Sequence, residues 1–276
     1  MHPLLKWAGG KAALSPVIRT HFSPCTGRYI EPFVGGGAVF FDRASQEEVQ
    51  SAILADNNER LIAFYQHIQA HPDDVLEETS KFTWGESWKE DYKKNRDEFN
   101  KNRLNSPRSA ALFYWMNHAC FNGLYRVNQS GEFNVPVGSY ARLSPPDEET
   151  IHQASQLLQR TILRCTDFYS LLCTHLEPED QVYADPPYVP NVENGFTAYA
   201  KTGFSEQDQT RLARILDEKA RTSVRVVASN HDVPFVRELY GKLGFTLFPV
   251  QGRRSVGAKG STRKKVGELL LVGYVP

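Results

Sequence analysis

The four residues Asp185-Pro-Pro-Tyr188 follow directly on the apolar stretch Gln181-Val-Tyr-Ala184. Two consecutive prolines offer no backbone N–H, so a strand must end there with carbonyl oxygens, a carboxylate and an aromatic ring gathered in one place. Such a set suits a flat amine. The amino group of a nucleobase is a poor nucleophile, because its lone pair is delocalised into the ring, and acceptors placed where charge develops raise its reactivity. The Asp185 carboxylate and the Pro186 carbonyl can each accept one N–H, Pro187 helps freeze the turn, and the Tyr188 face can stack on a planar ring. An enzyme acting on a base within a duplex must flip it out, and a stacking partner then offsets part of the lost base stacking. The competing reading is a Pro-rich turn that only stops a strand.

A second group lies earlier. In Glu31-Pro-Phe-Val-Gly-Gly-Gly37, three glycines after a short apolar run allow positive φ and close approach of a ligand to the backbone. A Gly-rich turn at the carboxyl edge of an α/β sheet is where nucleotide-like ligands sit, although a merely flexible turn fits equally well. The spacing is not G-x-G-x-x-G, which argues against a dinucleotide. Asp56 ends the next apolar run, where a carboxylate suits ribose hydroxyls or caps a helix. No phosphate-binding lysine follows the glycines, so an adenosine ligand such as S-adenosylmethionine fits better than ATP. In Lys6-Trp-Ala-Gly-Gly-Lys11, Trp7 belongs either to the core or to a loop packed on a ligand.

The elements that must position these groups are short. Arg28–Glu31, Ala52–Ala55, Thr161–Cys165, Gln181–Ala184, Val224–Ala228, Phe245–Val250 and Glu268–Val272 are apolar runs of strand length, several followed by helix-like patterns. Ser205 and Asp208 form a capping box ahead of a helix with Leu212, Ile215 and Leu216 on one face. This alternation predicts an α/β fold with a mainly parallel sheet, the last two runs pairing as an antiparallel hairpin across a long loop. Residues 57–145 differ: Leu61–Ala70, Glu86–Asn102 and Pro107–Cys120 read as helices, and Gly131–Gly138 as a loop or hairpin with Pro136 confining any strand to an edge. We therefore expect a helical insertion in one discontinuous α/β domain made of residues 1–56 and 146–276.

Composition sets the class. The chain has 276 residues, 41% hydrophobic and 23% charged, as is ordinary for a soluble globular protein. No apolar run suggests a signal peptide or membrane span, and four scattered cysteines without a C-x-x-C pair predict a reducing cytoplasm rather than a zinc site or disulfide scaffold. Net charge is zero. It conceals one basic stretch, Gly252–Lys265, with Arg253, Arg254, Lys259, Arg263, Lys264 and Lys265 and no acidic residue.

Taken together, LKWAGGK, EPFVGGGAVFF, LADNN, CFNGLYRVNQSGEFNVPVGSY, ADPPY, GFTAYAKTGFS, SNHD and GSTRKKVGELLL resemble the D12 class of Dam-type DNA N6-adenine methyltransferases, in the family's order and over nearly the whole chain. The resemblance implies a Rossmann-like methyltransferase sheet with the insertion as DNA-recognition domain. It implies S-adenosylmethionine as methyl donor, double-stranded DNA as partner, and direct transfer without metal or covalent intermediate, by a monomeric cytoplasmic enzyme of a bacterium or phage. By motif, Trp7, Lys11, Asp56 and Asp185 contact the donor or the reacting centre. Phe33, Gly35 and Gly37 of F-x-G-x-G shape the methionine pocket, and Asp167 with Phe168 borders the donor's adenine.

On the DNA side the resemblance makes Phe121 a wedge beside the flipped adenine, with Asn122 facing the vacated base. Arg126 forks onto a guanine, Leu124 and Pro136 touch thymine methyls, and Lys6 reaches the outer base pair. Arg96, Asn128 and Asn134 match phosphate-contacting positions. Members with this segment act on 5′-GATC. Val137 and Ser139 depart from an aromatic and an arginine often found there, which implies a weaker backbone grip. Three rival readings stay open from the residues: N4-cytosine methylation, methylation of glutamine or RNA (where Asn often replaces Asp185 and the FNGLYR segment is missing), and a DNA-binding module with a dead catalytic fold.

Overall fold

The computed structural model describes residues 1–102, 105–188, 204–250 and 267–273. The basic stretch Gly252–Lys265, the Val189–Asn191 end of the proline segment and the GFTAYAKTG segment lie outside the described residues.

All the strand-length runs form strands: β1 (Tyr29–Glu31), β2 (Ala52–Asp56), β3 (Thr161–Cys165), β4 (Gln181–Ala184), β5 (Arg225–His231), β6 (Thr246–Val250) and β7 (Glu268–Val272). They make one sheet in the order β3-β2-β1-β4-β5-β7-β6. The first five run parallel, while β7 pairs antiparallel with both β5 and β6. The expected C-terminal antiparallel pair is thus present, with β7 on its inner side. This is the Rossmann-like, mainly parallel α/β sheet that the sequence predicts.

Alternation along the strands gives the sheet two apolar faces. Ile30, Ile53, Val182, Val226 and Leu271 point to a core shared with α8 (Phe168–Leu172), α9 (Glu206–Arg221) and α10 (Pro234–Lys242). Tyr29, Leu54, Tyr183, Val227 and Leu270 point to the other core. That second core takes in α1 (Ser15–Arg19), α2 (Ala38–Ser45), α3 (Glu59–Ala70) and α7 (Glu148–Leu158). It continues without a break into α4 (Pro72–Ser80), α5 (Tyr92–Lys101) and α6 (Pro107–Ala119) of the insertion, through Phe64, Phe113, Trp88 and Trp115. Among the described residues no helix is long and apolar enough to cross a membrane.

Local chemistry explains the helix starts. The Ser205 hydroxyl accepts the Asp208 N–H (3.1 Å) while the Asp208 carboxylate accepts the Ser205 N–H (2.8 Å), the reciprocal box expected for α9. Ser106 and Ser109 do the same for α6, with Pro107 at its first position. The helical stretch expected at Glu86–Asn102 divides between Asp91 and Tyr92 into a 3-10 turn, Ser87–Asp91, and α5; the 3-10 turn carries Trp88 inward against Trp115 (ring centroids 6.4 Å apart). The Gly131–Gly138 segment pairs only through single bridges, Val127 with Phe133 and Cys120 with Val137. The Asn100 side chain supplies further support, accepting the Phe133 N–H (2.8 Å) and donating to its carbonyl (3.1 Å).

Candidate active site

Strand order reverses between β1 and β4, so the chain leaves their carboxyl ends in opposite directions. A crevice at such a point is where open α/β sheets bind ligands. Here it measures about 960 Å³ and is lined by every residue that sequence reasoning assigned to donor or acceptor: Trp7, Lys11, Phe33, Gly35, Gly37, Asp56, Asp167, Phe168 and Asp185 through Tyr188.

The glycine loop forms one wall. Gly35 and Gly37 have φ of +46° and +68°, a region that L side chains rarely occupy. A Cβ on Gly35 would stand 2.7 Å from Trp7 Nε1, and one on Gly37 would stand 2.9 Å from the Phe41 ring. The loop backbone is held from both sides: Tyr65 OH donates to the Gly35 carbonyl (2.9 Å), and the Gly35 N–H donates to Asp56 Oδ2 (3.2 Å). Asp56 Oδ1 accepts the Asn58 N–H (3.0 Å), while the cap of α3 itself is Asn58, whose Oδ1 accepts the Leu61 N–H. Asp56 is therefore not the N-cap, and burial pushes its carboxyl above the usual carboxylate range. Phe33, Phe168 and Phe204 pack together beside it, Phe33 stacked on Phe168 at 5.5 Å. Asp167 caps α8, accepting from the Tyr169 and Ser170 N–H groups (2.9 and 3.0 Å) and the Ser170 hydroxyl (2.7 Å); these bonds, the hydroxyl's foremost, hold its carboxyl below the ordinary value.

The opposite wall carries the acceptor groups. Asp185 Oδ1 accepts the Ser229 hydroxyl (2.7 Å), and Ser229 in turn meets Tyr183 OH (2.9 Å). Asp185 Oδ2 is paired with the Lys11 ammonium at 2.9 Å, and that ammonium also lies 4.5 Å from the Tyr188 ring centre and donates to the Gly9 carbonyl. Lys11 is only 5% exposed. Tyr188 is fixed at its hydroxyl, which donates to Glu268 Oε2 (3.2 Å), and at its ring, which meets His231 edge-on at 4.7 Å. Burial of that hydroxyl, and then the Asp185 charge, raise its pKa well above the ordinary phenol value. The turn is braced by Gln209, which donates to the Pro187 carbonyl (2.7 Å) and accepts from Asn230 (3.0 Å). Beneath the cleft, burial pushes the Glu31 carboxyl up to about 8, even though Tyr29 OH donates to it at 2.5 Å.

The residues expected to face DNA gather at the end of α6. Phe121 is exposed, its N–H bound to the Pro136 carbonyl (2.9 Å), and Asn122 takes a left-handed conformation (φ 55°) in the 3-10 turn Phe121–Gly123. Leu124 and Lys6 are half-buried, and the Lys6 ammonium lies 3.9 Å over the Tyr140 ring; its burial lowers its pKa. Arg126 is exposed and folded onto Asn134, donating to its Oδ1 (2.7 Å) and carbonyl (3.2 Å). Asn128 shapes the next turn, its Oδ1 accepting the Ser130 and Glu132 N–H groups. Pro136 is exposed on the same loop. Arg96 stands apart on α5, which supports this loop from behind through Tyr92 OH on the Val135 carbonyl (2.8 Å). Among the described residues no group of three or more His, Cys, Asp or Glu gathers as a metal site.

Sequence reasoning missed Ser229, Glu31, Tyr65, Gln209 and His231. Ser229 and His231 lie in the SNHD motif at the end of the strand next to β4, and Glu31 ends β1 as Asp56 ends β2. A carboxylate or hydroxyl at the carboxyl end of each central parallel strand was the available signal. Tyr65 and Gln209 sit within helices and carried none.

A family model described as D12 class N6 adenine-specific DNA methyltransferase matches residues 7–256. The chain is 37% identical over 288 residues to the type II methyltransferase M.MjaIII of Methanocaldococcus jannaschii, covering 99% of each. It is 37% identical over 274 residues to the DNA adenine methylase of Escherichia coli strain K12, covering 99% of the chain and 95% of that protein. It is also 37% identical over 270 residues to the DNA N-6-adenine-methyltransferase of Escherichia phage P1, covering 97% of the chain and 35% of the phage protein.

Proposed function

The chain belongs to the D12 class of N6 adenine-specific DNA methyltransferases, and from that premise we propose that it methylates N6 of an adenine flipped out of duplex DNA at 5′-GATC, with S-adenosylmethionine as donor. The observation that carries the reading is one crevice at the strand-order reversal, with the glycine loop and Asp56 on one wall and the Asp185–Tyr188 turn on the other.

The residues present fit the donor. Gly35 to Gly37 leave the loop backbone bare at the cleft, since any Cβ on Gly35 would meet Trp7. The Asp56 carboxylate suits the ribose hydroxyls, the Phe33 and Phe168 rings offer apolar faces to an adenine, and Trp7 closes the loop. Bound there, S-adenosylmethionine supplies an electrophilic methyl group on a sulfonium. The chain's own part is to hold and activate the amine. Ser229 fixes Asp185 Oδ1, so Oδ2 is the oxygen that receives an N–H. The Pro186 carbonyl accepts the second N–H, and the two acceptors favour the pyramidal nitrogen of the transition state. Lys11 shows that this place accepts a nitrogen donor: its ammonium sits at Asp185 Oδ2 and over the Tyr188 ring, and the incoming amine replaces it. Tyr188, pinned by Glu268 and His231, then stacks on the base.

Residues 57–145 serve DNA recognition and residues 1–56 with 146–276 catalysis, α3 packing in the core common to both. Phe121 wedges into the duplex, Asn122 faces the vacated base, and Arg126 releases Asn134 to fork onto a guanine. Leu124, Pro136 and Lys6 meet neighbouring base pairs, while Arg96, Asn128 and Asn134 approach phosphates. Labelled donor incubated with duplexes containing or lacking GATC tests this, with the modified base identified by nucleoside analysis. Methyl-adenine formed only in GATC duplexes is the expected result; methyl-cytosine, or transfer regardless of GATC, overturns it. Asp185→Ala should abolish transfer while duplex binding persists, and a variant that still turns over would refute the acceptor role.

A further inference from the structure

The turn Phe121–Arg126 and the acceptor pocket lie at opposite ends of one short stretch, Lys6–Lys11, and a buried amide outside both grips its first residue. Asn117, in the last turn of α6, is 6% exposed. Its Oδ1 accepts the Lys6 N–H (2.9 Å), and its Nδ2 donates to the Lys6 carbonyl (2.8 Å) and the Gly123 carbonyl (3.3 Å). One side chain thus uses both its acceptor and its donor end on the backbones of two different segments. Gly123 brings them into close contact: it has φ +63°, and a Cβ there would stand 2.7 Å from the Lys6 carbonyl oxygen.

From this joint the stretch runs inward. The Trp7 indole lies against Gly35 and stacks on Tyr125 (6.3 Å, 20°), and the Gly10 N–H donates to the Trp7 carbonyl (3.0 Å). Lys11 ends it, 2.9 Å from Asp185 Oδ2. Buried hydrogen bonds to an amide resist stretching in a low-dielectric surrounding, so a displacement of the turn passes to Lys6 instead of being absorbed at the joint.

We propose that Asn117 is a positioning residue for sequence discrimination: it ties the turn that reads DNA to the stretch that carries Lys11, so that seating of Phe121–Arg126 on the preferred site draws Lys11 off Asp185 and opens the acceptor to the amine. The proposal rests on the reading of this cleft as the methyl-transfer site. It adds a reason for discrimination in rate rather than in binding, because a duplex that seats the turn poorly leaves Lys11 in place.

The test is Asn117→Leu, which keeps the branched shape and the number of heavy atoms and removes all three bonds. In the wild type, the preferred duplex should alter amide hydrogen exchange in both 121–126 and 8–11; in Asn117→Leu 8–11 should no longer respond. Turnover on the preferred site should fall about tenfold, with duplexes altered at one base pair little affected and duplex affinity held within about threefold. A folded variant with the wild-type ratio of rates between the two duplexes, or with 8–11 still responding to DNA, overturns the proposal. Should Asn117→Leu not fold, Asn117→Ser, too short to span both segments, is read by the same criteria. Sequencing of DNA methylated by the wild type first defines the preferred site. A wild type that methylates no DNA refutes the reading of the cleft; the exchange experiment, run then with the duplex bound tightest in selection from a random pool, still decides the coupling.

Discussion

Gly35→Ala puts one methyl group where the glycine loop meets Trp7. The peptide cannot rotate to accommodate it, because its N–H is held by Asp56 Oδ2 and its carbonyl by Tyr65 OH. A left-handed conformation costs a non-glycine residue about 1–2 kcal/mol. The new Cβ would also stand 2.7 Å from Trp7 Nε1 and 2.8 Å from Cδ1, well inside the roughly 3.5 Å of a relaxed contact. Trp7 is backed by Tyr125, and overpacking of this kind costs about 1–3 kcal/mol. Urea unfolding should therefore report a loss of about 2–5 kcal/mol. Gly85→Ala is the control: it has φ +82° and nothing within 4 Å of the added Cβ, so only the conformational part, about 1–2 kcal/mol, applies. Titration calorimetry with S-adenosylmethionine should show affinity reduced about tenfold or more for Gly35→Ala, equivalent to about 1.4 kcal/mol, and unchanged for Gly85→Ala. Equal urea midpoints for the two variants, together with wild-type donor affinity in Gly35→Ala, would refute both the contact and the assignment of the loop.

Two further outcomes are open to direct measurement. The folded chain keeps a proton on Glu31 up to about pH 8, whereas the unfolded chain releases it near pH 4.3, so between those limits stability falls with rising pH by up to about 1.4 kcal/mol per unit. Glu31→Gln should flatten that slope in urea unfolding from about pH 5 to about pH 8, and a variant falling as steeply as the wild type contradicts the protonated state. Arg126→Ala should relax the choice at one base pair by about 1–3 kcal/mol, read as the ratio of rates on GATC and singly altered duplexes; an equal loss on every sequence marks a phosphate contact instead.

Legibility followed burial. β4 and β7 begin and end where their apolar runs do, because central strands covered on both faces must be apolar throughout; β3, the largely exposed edge strand, was legible instead from its short β-branched run. α2 was harder to see: Val39, Phe40, Phe41, Arg43 and Ala44 are all buried, so no polar face marks its period. The 3-10 turn at Ser87–Asp91 was hidden because the inward turn of Trp88 depends on Trp115, far along the chain. At the site, Asp185, Asp56 and the glycines announced themselves by residue type at strand ends. What held them did not: Ser229, Tyr65 and Asn117 act through hydroxyls and amides that are common everywhere, and only the folded chain brings them to Asp185, Gly35 and Lys6. Asp56 illustrates both limits, since the sequence places a carboxylate there but leaves open whether it caps a helix, a duty that Asn58 performs.

The position of β7 between β5 and β6 orders events during synthesis. Leu269, Leu270 and Leu271 are fully buried, and their strand neighbours on both sides are made before them. Until β7 emerges from the ribosome, β5 and β6 face each other across a gap lined with unpaired N–H and C=O groups, the kind of edge that recruits foreign strands. The same strand carries Glu268, which anchors Tyr188. A nascent chain halted before Glu268 therefore lacks both a closed sheet and the bond that holds Tyr188, and an assembled cleft is reserved for a chain translated through β7.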